Sequence, residues 1–113
     1  MSRRASGLKA WAIQRVTAIY LAVFFVVLLA KFSFNPPASQ LDWRLWLADP
    51  LIGIAFMVFI VALLFHAWVG IRDVLMDYVK PITIRGTLLA LVALTLLACG
   101  LWAAQILILA RLA

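Results

Sequence analysis

The chain has 113 residues, 68% of them hydrophobic, with ten Lys or Arg against four Asp and a net charge of +6. Soluble domains are about half apolar, so this composition excludes a water-soluble globule, and the length allows one small domain at most, residues 1–113. One histidine and one cysteine exclude a disulfide framework and a thiolate metal cluster, and no Ser–His–Asp grouping is available to a histidine this deep in an apolar run.

The first predicted span covers residues 10–34. Val16 to Ala30 is uncharged, and Arg15 and Lys31 can snorkel towards opposite surfaces, which brings the run to the roughly 20 residues that a bilayer needs. Ser6-Gly7 is expected to precede this helix and Pro36-Pro37 to stop it, because proline lacks the donor that continuation requires. Arg3, Arg4 and Lys9 give a basic start. The apolar run behind them is too long for a signal core and has no clear small-residue cleavage site, so the first helix is expected to be retained.

Ser39 and Asp42 have capping-box spacing, and Trp43 and Trp46 alternate with charge. This predicts a short amphipathic helical turn at the outer interface, where indole rings prefer to sit. Asp49-Pro50 then reads as an N-cap acid followed by proline at the first helical position. The second span is expected over residues 50–79, with Pro81 ending it. The third is expected over residues 84–110, where Gly100 and Ala104 suggest a helix contact and Cys99 reads as a small, polarisable core residue. The predicted fold class is an all-α membrane protein with three transmembrane helices.

Seven of the ten basic residues (Arg3, Arg4, Lys9, Arg15, Arg72, Lys80 and Arg85) fall on the side of the N-terminus and the 72–85 connection. Lys31, Arg44 and Arg111 fall on the other. That asymmetry predicts a cytoplasmic N-terminus and an outer C-terminus, with a mitochondrial matrix as the alternative inner side. The charge is therefore read as topology and membrane lipid contact, with no nucleic-acid partner.

His66 is the ionisable residue that stands out within the spans. Such a group is costly in a membrane and is by default a functional site. At about 100° per residue, Ala62, Gly70, Asp73 and Asp77 fall within about 40° of it. Small residues one turn to either side leave room for a flat group such as haem, for which imidazole is a usual ligand. A histidine bonded to a neighbouring helix, with small residues for close packing, fits the same stripe. Asp77 lies on the order of 16 Å further along the axis, near the inner surface, and is disfavoured there by the helix dipole and by Asp73 four residues before it. Arg72, Lys80 or Arg85 could offset this. Alternatively, Asp77 beside the phenol of Tyr78 could protonate a lipid-soluble redox carrier, although Tyr78 also suits a simple interfacial aromatic. Arg15 either snorkels or faces the bundle and meets an anion.

The string His66-Ala67-Trp68-x-Gly70, followed by Asp77-Tyr78-x-Lys80-Pro81, closely resembles the second-helix signature of the hydrophobic membrane-anchor subunit of succinate dehydrogenase. Arg15-Val16-Thr17-Ala18-Ile19 resembles the opening of that family's first helix. The resemblance implies a cytochrome b-type anchor paired with a second three-helix anchor protein. Together the two would hold an iron–sulfur subunit and a flavoprotein subunit at the inner face of a bacterial cytoplasmic membrane. It implies that His66 is one axial ligand of a haem b, with the other histidine donated by the second anchor protein, and that Arg15 faces the haem propionates and Gly70 borders the group. Tyr78 would hydrogen-bond ubiquinone, and Asp77 would support it or deliver protons. Succinate oxidation, a step of the tricarboxylic acid cycle, would lie on the partner subunits. Asp73 is outside the motif and reads as a surface or proton-path residue. The alternatives are a fumarate reductase or menaquinone-linked anchor, and a structural or transport membrane protein without cofactor.

Overall fold

Asp49 ends one helix and begins the next. Its backbone N–H reaches Trp46 O at the end of the short helix before it, while its carboxylate accepts from Leu51 N at 2.9 Å and Ile52 N at 3.2 Å. Two of the orphan donors of a long helix are thus satisfied by the acid before Pro50, as the sequence predicts. In a computed structural model, residues 3–112 are described, with side chains from Gly7 onward. They form α1 (Arg3–Phe34), α2 (Gln40–Ala48), α3 (Pro50–Tyr78) and α4 (Ile82–Leu112), with no strand among the described residues. The fold is all-α, and three of the helices are long and apolar enough to cross a membrane.

The short helix α2 forms as its caps predict. Ser39 Oγ accepts from Asp42 N at 3.2 Å. The return bond to Asp42 Oδ2 comes from Ala38 N, one residue earlier than a regular capping box would have it. The start of α1 differs from expectation, since the helix runs through Ser6-Gly7 instead of beginning after them. A Ser-Gly pair only lowers helix propensity, by about 1 kcal/mol at the glycine. Without a proline or a competing cap, the helix continues outward past it.

α3 is the centre of the molecule. α1 packs against one side of it and α4 against the other, and among the described residues the backbones of α1 and α4 do not come together. α2 lies against α4 and α3, at the end of the bundle where α3 begins and α4 finishes. The contact of α1 with α3 is fastened at three levels. Near the middle Thr17 meets His66, one turn further along α1 Tyr20 donates to Ala55 O at 2.7 Å, and one turn beyond that Phe24 packs on Phe56 and Phe59 with ring centroids 5.0 and 4.8 Å apart. Phe32, Trp43 and Trp46 continue this aromatic seam into α2. On the other side of α3, Gly100 lies so close that an added Cβ would meet Leu64 Cδ1 at 2.5 Å. The small-residue contact expected in the third span is therefore made at Gly100.

Phe24, Ala62, Val69, Leu107 and Ala110 are the buried apolar side chains among those described. Cys99, expected in a core, is exposed on α4. With each outer helix touching α3 along one side only, most of α4 has no neighbour in the chain, and Cys99 is on that free surface. A 29-residue helix is about 44 Å long, against a hydrocarbon core of roughly 30 Å. α3 is thus longer than the hydrocarbon core is thick, and Asp73 and Asp77 lie in its last two turns.

Candidate functional site: a histidine cleft between α1 and α3

His66 lies two residues past the midpoint of α3, half-buried, on the side that faces α1. Its Nδ1 is 3.1 Å from Thr17 Oγ1. The same hydroxyl lies 2.6 Å from Ile13 O and 3.2 Å from Gln14 O on its own helix. Nε2 of His66 makes no hydrogen bond among the described residues. The helical repeat brings Gln14 and Thr17 onto one face of α1, three residues apart, and that face meets α3 at the level of His66.

From His66 towards the N-terminus of α1 there is a cleft of about 510 Å³ between α1 and α3. Gly7, Ala10, Trp11, Gln14, Arg15 and Ala18 line it from α1, and His66, Arg72 and Asp73 from α3. Two guanidinium groups thus share a cleft with an imidazole. Arg72 also touches Asp73 at 3.3 Å, but both side chains are about half-exposed, so the pair is screened and weak. Gln14 and His66 also border a second, apolar groove of about 360 Å³ that runs along Gly70, Ile71 and Val74. The Gln14 amide oxygen is buried between them without a donor among the described residues, an arrangement that costs about 1–3 kcal/mol unless a group from outside the chain supplies one.

Three of the sequence-predicted residues come together here. His66 and Arg15 share the cleft, and His66 and Gly70 share the adjoining groove. Arg15 is exposed on the cleft wall instead of being tucked between helices. The room expected on both sides of His66 exists on one. Ala62 is 7% exposed, so packing within the chain fills the outer side, whereas at Gly70 an added Cβ would meet only Gln14 Nε2, at an ordinary 3.7 Å. Asp77 and Tyr78 are not part of this cleft. Both are exposed at the end of α3, Tyr78 at 81%, some 12 residues or about 18 Å from His66. Asp73 lines the cleft on the face where the helical repeat puts it beside His66, whereas Gln14 and the cleft position of Arg72 were not foreseen. The available signal was a polar Gln14-Arg15 pair inside an apolar helix, one turn before Thr17.

No three His, Cys, Asp or Glu side chains gather as a metal-ion site among the described residues. What remains is a single imidazole with one ring nitrogen engaged, two cations beside it and a glycine-floored groove. That donor set fits one axial position of a planar macrocycle carrying carboxylates, with the arginines at its acidic edge.

The family model described as succinate dehydrogenase/fumarate reductase transmembrane subunit matches residues 1–104. The succinate dehydrogenase hydrophobic membrane anchor subunit of Coxiella burnetii is 33% identical over 110 residues, covering 97% of this chain and 94% of its own length. Those of Rickettsia felis and Rickettsia conorii are 33% and 36% identical over 90 residues, each covering 79% of this chain and 74% and 71% of their own lengths. On this match, which takes in all of α1, α2 and α3 and most of α4, the chain belongs to the family of succinate dehydrogenase/fumarate reductase transmembrane subunits.

Proposed function

We propose that this chain is the membrane-anchor subunit of a succinate:ubiquinone oxidoreductase in a bacterial inner membrane. It pairs with a second three-helix anchor protein and seats an iron–sulfur subunit and a flavoprotein subunit at the inner face, where the basic N-terminus and the 72–85 connection lie. Succinate oxidation to fumarate, which releases two electrons and two protons, belongs to the flavoprotein. Ubiquinone takes up two electrons and two protons to become ubiquinol at the membrane.

In this reading His66 Nε2 would ligate the iron of a haem b, together with a histidine of the second anchor protein. When bound, haem supplies a one-electron store within the bilayer. Arg15 and Arg72 in the cleft would neutralise its propionates, and the Cβ-free surface of Gly70 would leave room for it beside α3. Tyr78 donates its phenolic hydrogen to a ubiquinone carbonyl oxygen. Asp77, beside it at the aqueous edge, holds a proton for delivery as the quinone is reduced. The relatives above are named for succinate dehydrogenase, which favours succinate oxidation over the reverse reaction included in the family's description.

The observation that best supports this reading is that His66, its Nε2 without a hydrogen-bond partner among the described residues, shares a cleft with two arginines. The reduced-minus-oxidised absorption spectrum of the purified complex tests it. A b-type signal is expected in the wild type and none in His66→Ala; an unchanged signal in the variant overturns the ligand assignment.

A further inference from the structure

We infer that Thr17 is the positioning residue for His66, fixing both the orientation of the ring and the nitrogen that carries its proton. The inference rests on the reading of His66 as a haem ligand. Thr17 has one hydroxyl hydrogen and two lone pairs. Its shortest contact, 2.6 Å to Ile13 O four residues back, is to a group that can only accept. This is the usual back-bond of a threonine within a helix. The 3.2 Å contact to Gln14 O is also to an acceptor. The hydrogen is therefore committed to the backbone of α1, and towards His66, 3.1 Å away, Oγ1 offers a lone pair.

His66 Nδ1 must then be the donor. The ring is held as the Nδ1–H tautomer, which leaves Nε2 with its lone pair free. That is the form a metal needs, and the hydrogen bond at the far nitrogen sets the direction of that lone pair. No carboxylate or free carbonyl of α3 takes this part, since the α3 carbonyls around His66 are engaged in their own helix. The acceptor comes instead from the neighbouring helix, so the bond also ties the position of His66 to the α1–α3 contact. Donation from Nδ1–H to oxygen raises the basicity of Nε2. A more basic ligand favours the more oxidised iron, so removing the acceptor should raise the haem potential.

Thr17→Val keeps the shape and β-branching but removes the acceptor, while Thr17→Ser keeps the hydroxyl. The test is a spectroscopically monitored redox titration of the purified complex, with the haem-to-protein ratio measured alongside. In Thr17→Val the midpoint is expected to move upward, or haem retention to fall by roughly 10- to 100-fold, as for other partners that orient a metal-binding imidazole. Thr17→Ser is expected to match the wild type in both. Wild-type potential and haem content in Thr17→Val overturn the inference, as does equal loss in the valine and serine variants, because serine can still make the bond. His66→Ala, measured in the same series, separates the two levels. If its b-type signal persists, the ligand reading fails; if the signal is lost while Thr17→Val behaves as wild type, only the role of Thr17 fails.

Discussion

Gly70 distinguishes two accounts of the space beside His66. If the small residues on this face of α3 served close packing within the chain, a methyl group at Gly70 would collide with α1. It does not, since the nearest atom to an added Cβ is Gln14 Nε2 at 3.7 Å. Gly70→Ala is therefore expected to leave the chain folded and inserted, with a small gain in helix propensity of about 1 kcal/mol. On the proposed reading the same methyl group occupies the surface that the macrocycle approaches, so haem content should fall severalfold while the level of the subunit in the membrane stays constant. Unchanged haem content would mean that the group, if present, lies away from Gly70. The contrast also shows what could be read in advance. A helical wheel puts Gly70 beside His66 because both are on one helix. The Thr17 bond needs the register of α1 against α3, which depends on Tyr20 reaching Ala55 and on Phe24 seating between Phe56 and Phe59. The resemblance marked Thr17 as a motif position without giving it a partner.

Between elements, the closest approach is that of α4 to α3 at Gly100. An added Cβ would lie 2.5 Å from Leu64 Cδ1, the movable end of a side chain. Alanine can be accommodated by a rotamer change of Leu64, but a larger side chain must push the helices apart, at a cost of about 1–3 kcal/mol for overpacking. Gly100→Leu is expected to lower the amount of assembled complex in membranes, and Leu64→Ala added to it should restore much of the loss, because the second change vacates the volume that the first one needs. Strict additivity of the two effects would show that the residues do not meet. The ends of the elements were more legible than their contacts. Asp49 and the Ser39–Asp42 pair act through local hydrogen bonds and Pro81 through its missing donor and its restriction of the residue before it, all of which sequence spacing determines. Ser6-Gly7 misled because the pair permits a helix start without enforcing one. Cys99 misled because apolar character in a membrane helix does not separate a core-facing position from an outward one.

At the scale of the whole molecule, α3 carries both proposed sites, but the chain encloses only one of them. α1 supplies a second wall at His66, whereas at the C-terminal end of α3 no element among the described residues covers Tyr78, which is 81% exposed, or Asp77 beside it. On the proposed reading, the rest of a quinone site at Tyr78 would come from the partner subunits. This makes Tyr78 a test of function that spares the fold. The phenol has no hydrogen-bond partner among the described residues, so Tyr78→Phe removes no internal bond and should leave insertion, assembly and the b-type spectrum unchanged. Losing one neutral hydrogen bond to a quinone carbonyl is worth about 1 kcal/mol. The variant should therefore show roughly a five- to tenfold drop in kcat/KM for ubiquinone reduction. Succinate oxidation measured with an artificial acceptor that draws electrons from the soluble subunits should stay at the wild-type rate. Equal loss of both activities would indicate that the anchor had failed to hold its partners. Full quinone reduction in the variant would move the quinone away from Tyr78 and leave the phenol as an interfacial aromatic.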